Sequence, residues 1–172
     1  MALDPTKIHM GPATVTYDGE DLGYTLNDSV KVNISTETTP VTPDQASLPI
    51  MDVITNTTAT VEVTFGQVTD VLKKLIGVET GEDGSFKFKD PGGTDLKQVS
   101  ASLVLTPYDI NTGDDIIPSG ITYTFPKACP TVTDGFQFAK TTPQGITITF
   151  KIYPDTDGTF MSWKDNSASA EG

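Results

Sequence analysis

Apolar and polar residues alternate along much of the chain, and the alternation predicts strands with one dry face and one wet face. Ala13–Tyr17 (ATVTY) is the first such run, and the Asp18-Gly19 pair behind it is a favoured tight turn. Val30–Thr36 puts Val30, Val32 and Ile34 on one side, with Lys31, Asn33 and Ser35 on the other. Thr58–Phe65 turns Val61, Val63 and Phe65 inward and leaves Glu62 and Thr64 outside. Val99–Leu105, Ile121–Phe125 and Ile146–Tyr153 repeat the pattern, and Phe86–Lys89 is a shorter version. This many short strands with turn residues between them predict a mainly β fold, an antiparallel β-sandwich or barrel.

One helix interrupts the strands. In Thr69–Ile76, Thr69 suits the N-cap and Asp70 the first turn. Val71, Leu72, Leu75 and Ile76 form an apolar stripe, Lys73 and Lys74 take the wet side, and Gly77 is the expected stop. Two turns are not stable alone, so the stripe is expected to pack on the sheet or on a neighbour.

Three segments fit a closed sandwich less easily. Residues 37–57 separate two strong strands, longer than most structureless loops. Pro40, Pro43 and Pro49 argue against a regular strand in the first half. Yet Leu48, Ile50, Met51, Val53 and Ile54 are too apolar for a solvated linker. The expectation is a long projecting loop that becomes ordered against another chain. The alternative is a loop folded over its own sandwich. Residues 1–12, with Ile8, His9 and Met10, read as an extended N-terminal arm, and residues 165–172 as a polar, mobile tail. No repeat or linker divides the chain, so residues 1–172 read as one domain.

Composition then narrows the function. With 11 basic and 23 acidic side chains the formal charge is -12, which disfavours a grip on nucleic-acid phosphates or anionic membranes. The start has no apolar signal-peptide core, and no run approaches a membrane span. The 28 threonines belong with the half-exposed strands. The lone Cys129 excludes an internal disulfide and reads as a small buried side chain. With His9 the only histidine and no catalytic or phosphate-binding motif, neither catalysis nor a cofactor is expected. Residues 109–115 and 155–158 space oxygen side chains as calcium loops do, but both read better as β-turns, so no metal is expected. Trp163 reads as an anchor for the last β-segment rather than a binding aromatic.

The order of these features resembles a family. An opening Gly11-Pro12, a strand, the Asp18-Gly19 turn, Leu22-Gly23-Tyr24-Thr25, a strand, the long loop, a strand and a short helix follow one another. Later come Tyr123-Thr124-Phe125-Pro126-Lys127-Ala128 and Ile146–Tyr153 with its Asp-Gly turn. Over residues 8–163 this resembles the tail tube (major tail) proteins of long-tailed bacteriophages. The resemblance implies a structural virion protein whose six-subunit rings stack into a hollow tail tube through which DNA passes into the host. It implies self-association, with the arm and the 37–57 loop reaching neighbouring subunits. It also implies contact with the tape measure, tail terminator and tail tip proteins, synthesis in the host bacterial cytoplasm, and no membrane partner. An acidic lumen would let a duplex slide, so Glu62 is a candidate lumen-facing acid, and acidic side chains should outnumber basic ones on that wall. Two alternatives remain open: the tube protein of a contractile injection or secretion system, and a non-assembling adhesin or capsid-decoration module.

Overall fold

The computed structural model describes residues 12–26, 29–45, 47–66, 69–75, 77–80, 85–88, 92–107, 121–134 and 145–165. The expectations for Ile8, His9, Met10, Ile76, residues 109–115 and the tail beyond 165 lie outside them. In chain order the elements are β1 (Ala13–Tyr17), β2 (Glu20–Asp21), β3 (Lys31–Val41), β4 (Met51–Phe65), α1 (Asp70–Leu75), β5 (Val78–Thr80), β6 (Phe86–Phe88), β7 (Ala101–Pro107), β8 (Ile121–Asp134), β9 (Ile146–Tyr153) and β10 (Ser162–Asp165). Eight strands form one antiparallel sheet in the order β2-β1-β7-β8-β9-β4-β3, with β10 also paired to β8; β5 and β6 form a separate ribbon.

The alternation does what the sequence predicts at the centre of this sheet. Val15, Val61, Val63, Phe65, Leu103, Leu105, Phe125, Ile146, Ile148 and Phe150 are buried in one core. A flat sheet could not bring them together, since β1 and β4 are four positions apart at about 4.8 Å per step. Instead the sheet curls on itself. Tyr17 on β1 reaches Phe150 on β9 with ring centroids 5.6 Å apart, and its hydroxyl donates to the Ala128 carbonyl at 3.0 Å. The sheet does not close into a barrel.

The corner is β8. Its first part pairs with β10 on one side, from Ile121 to Thr124, and with β7 on the other, from Tyr123 to Ala128; from Lys127 to Asp134 it pairs with β9. The predicted Ile121–Phe125 strand thus runs on through Pro126 and Pro130. A register irregularity within the β7 pairing, between Ala101 and Leu103, falls at Pro126 and Lys127 of β8 and lets the strand change direction. Val99 falls outside β7 and is exposed, two residues short of the strand.

Two connections hold the curl. Asp18 (φ 51°) and Gly19 (φ 82°) make the left-handed pair that a two-residue hairpin between β1 and β2 requires. Leu26 N–H donates to the Thr64 carbonyl and Gly66 N–H to the Tyr24 carbonyl, tying the chain after β2 to the end of β4. The Ser29 hydroxyl donates to the same Thr64 carbonyl and accepts from the Thr64 N–H. Helix α1 starts as predicted, with the Thr69 hydroxyl accepting from Leu72 N–H at 3.1 Å. Leu72 is buried in the core, and Val71 and Leu75 pack against it. Gly77, at φ 78°, ends the helix in the left-handed conformation.

Candidate assembly surface

The expected loop at 37–57 is largely strand. β3 and β4 extend into it as a hairpin, with Thr38 opposite Ile54, Thr39 opposite Val53, Pro40 opposite Asp52 and Val41 opposite Met51. The prolines do not prevent this. Among the described residues β3 has β4 on one side and no strand on the other, and proline's missing N–H is tolerated on such an edge. Only the connection at 42–50, with Pro43, Leu48, Pro49 and Ile50, is a turn, closed by Ile50 N–H donating to the Val41 carbonyl at 3.0 Å.

The hairpin leaves the body. Pairing of β4 with β9 ends at Ala59 opposite Ile152. From Met51 to Thr58 every side chain of β4 is exposed, as is every side chain of β3. At about 3.3 Å per residue this free half of β4 is about 26 Å long. A two-stranded hairpin is marginal in water by itself. This one also carries exposed apolar residues: Leu48 is 73% exposed and Ile54 65%, and Val32, Ile34, Val41, Ile50, Met51 and Val53 are exposed too.

A bulge distributes them over both faces. The register shifts between Glu37 and Thr38, leaving Thr55 without an opposite residue; its hydroxyl donates to the Glu37 carbonyl at 3.3 Å. One extra residue flips the alternation. Below the bulge Val32 and Ile34 share the side of core residues Val61 and Ala59. Above it Ile54 takes that side, while Val53, Met51 and Val41 take the other. Sequence alternation alone could not reveal this, because nothing in it locates a bulge.

The opposite, wet face of the sheet is carpeted with threonine. Thr64 and Thr147 hydroxyls meet at 3.0 Å, as do those of Thr133 and Thr149, and Thr131 donates to the Thr149 carbonyl at 2.7 Å. Glu62 is exposed on this face, opposite Lys31 on one neighbour and Thr149 on the other. Lys151 and Lys127 lie on the same face, since their register neighbours Ile152 and Ala128 face the core. Lys164 joins them from β10. Among the described side chains, acidic ones therefore do not outnumber basic ones on this face.

The remaining candidates are inert. Cys129 is buried, and burial pushes its thiol above the usual range, with Lys151 pulling weakly the other way. Asp155 closes a turn by accepting from the Asp157 and Thr159 N–H groups, the turn reading of 155–158. Trp163 is not a buried anchor: it is 64% exposed on β10, opposite Tyr123. Among the described residues no cluster of His, Cys, Asp and Glu could hold a metal, and no helix is long and apolar enough to cross a membrane.

No protein-family model matches the chain, and no curated protein sequence matches it. The fold, however, is shared with solved structures. A chain of the sheath-tube complex of an extracellular contractile injection system, PVC, in its extended state, superposes with a TM-score of 0.56 at 13% identity, covering 92% of this chain and 91% of that one. A chain of the anti-feeding prophage (AFP) baseplate superposes with a TM-score of 0.50 at 9% identity, covering 96% of this chain and 99% of that one. Over nearly its whole length the chain therefore has the fold of phage-tail-like injection particles.

Proposed function

We propose that this protein is a non-enzymatic structural subunit of a phage tail or phage-tail-like injection particle, stacking as rings of six into a hollow tube. The observation that carries the reading is the projecting hairpin Lys31–Phe65, whose distal half has apolar side chains on both faces and, among the described residues, no partner in its own chain. Head-to-tail contacts that close on themselves need such a segment, and a monomer has no use for it. The whole-length likeness to chains of a sheath-tube complex and of a baseplate resolved with sixfold symmetry supports the same reading. That likeness favours the injection-system kind of tube over the long-tailed phage kind. In either particle the partners are other copies and the proteins that measure, terminate and tip the tube. The protein is made in the bacterial host's cytoplasm, and cargo, DNA in a phage, passes without specific binding.

An acidic lumen belongs to this proposal, but the threonine face with Lys31, Lys127, Lys151 and Lys164 is a poor candidate for it. Glu62 would stand there among lysines. Asp18, Glu20 and Asp21 at the exposed β1–β2 turn are better placed to supply a negative wall.

Electron microscopy of the purified chain tests the reading. Rings or tubes are expected, and a monomer at high concentration would sink it. Deleting Leu48–Ile54 should abolish assembly while the circular-dichroism spectrum of the body persists. Tubes from the deleted chain would remove the hairpin from the assembly.

A further inference from the structure

The charges outside the core divide unevenly. From Glu37 to Thr57 the ionisable residues are Glu37, Asp44 and Asp52, all exposed, with no lysine among them. On the wet face of β8, β9 and β10 the described charged side chains are Lys127, Lys151 and Lys164. Glu62 lies on the next strand, displaced toward the other end, opposite Thr149. Among the described residues none of these three lysines is in an ion pair, nor is any of the three hairpin acids. The hairpin leaves the sheet at Ala59 and does not satisfy its own chain's lysines.

We infer that the distal hairpin of one copy docks on the lysine face of β8–β10 of a second copy. This inference rests on the tube reading and names the surface the hairpin meets. The described charges of the two surfaces are opposite in sign, and every copy has one of each. Their difference makes the contact head-to-tail, the kind that closes into a ring or runs on into a tube. All 11 basic residues of the chain are lysines. Their aliphatic stems offer apolar surface to Met51 and Val53, on the side of the hairpin that also carries Glu37, while the ammonium groups meet carboxylates. A nucleic acid is the poorer occupant, because a chain of charge -12 repels a polyanion at long range.

Charge reversal on each side tests the docking. A face variant (Lys127→Glu, Lys151→Glu, Lys164→Glu) and a hairpin variant (Glu37→Lys, Asp44→Lys, Asp52→Lys) should each stay folded by circular dichroism. Each should need at least about tenfold more protein to assemble, by light scattering and microscopy. The chain carrying both sets, and an equal mixture of the two variants, should assemble again. Lys→Gln replacements on the face serve if the reversed face does not fold, and should weaken assembly in the same direction. In the wild type, rising salt should weaken assembly as the Debye length shrinks below about 8–10 Å. Wild-type-like assembly of the face variant overturns the docking and leaves the tube reading standing, as does a double set no better than either single set. Loss of DNA retention by the face variant, with assembly intact, would assign the face to nucleic acid instead. A wild-type chain that never leaves the monomer overturns both readings.

Discussion

Between Ala59 and Phe65, β4 has β9 on one side, β3 or the Ser29 segment on the other, and Ala59, Val61, Val63 and Phe65 are buried. Between Met51 and Thr58 the same strand has, among the described residues, only β3 beside it, and its side chains are exposed on both faces. Composition does not separate the halves: Met51, Val53 and Ile54 are as apolar as Val61 and Val63. What differs is the supply of neighbours. In the first half an apolar side chain contributes to folding, about 25 cal/mol per Å² removed from water. In the second half that free energy is not realised within the fold, and under the proposed function it goes to association.

The contrast fails if both halves respond alike to truncation. Phe150→Ala empties a fully buried site against Tyr17 and should cost about 3–5 kcal/mol in urea unfolding of the unassembled chain. Ile54→Ala should cost less than about 0.5 kcal/mol in that measurement, yet impair assembly. A large stability loss at Ile54 would place the hairpin against its own body.

Tyr17→Phe is a finer probe of the body. It keeps the ring against Phe150 and removes only the hydroxyl that donates to Ala128, so about 1–2 kcal/mol should be lost. Next is Thr69→Ala, which frees the Leu72 N–H and withdraws a bond to the Leu22 carbonyl; about 1 kcal/mol is expected. Neither substitution should change hairpin-dependent assembly once the folded fraction is matched.

The body was legible in the sequence because period two, tight turns and a helix cap are local signals. Ala13–Tyr17, Asp18-Gly19, Val61, Val63 and Phe65, Thr69 and Ile146–Tyr153 all behave as their neighbours in sequence dictate. Three features depend on distant pairing and were not legible. Pro40 reads as a strand breaker until β3 is known to be an edge. Pro126 and Pro130 read as stops until β8 is known to turn a corner between partners. The 37–57 segment reads as a loop because its strands bury nothing, and burial is what makes a strand visible in a sequence. Its apolar content still set it apart from a solvated linker, and Leu48, Ile50, Met51, Val53 and Ile54 are all exposed there. The lysine face was not legible because Lys127, Lys151 and Lys164 are far apart in sequence and come to one side of the sheet only through the pairings of β8.

The smallest effect separates the two regions by pH. Burial raises the Tyr17 hydroxyl above its ordinary value of 10.0 and the Cys129 thiol above 9.0; burial also raises Tyr153. All three groups lie in the body. In the unfolded chain they lose their protons at ordinary values, while the folded chain holds them longer. The native state therefore binds more protons than the unfolded state in that range, and its stability must fall as pH rises. The contribution is fully present below about pH 9 and is lost progressively as pH climbs through the raised folded values. Unfolding midpoints should be flat from neutral pH to about 8.5 and decline above it. Tyr17→Phe should shallow the decline while the Leu48–Ile54 deletion leaves it unchanged. A deletion that flattened the alkaline loss would mean that the hairpin shields these groups, and the division of β4 into a folding half and an assembling half would not survive it.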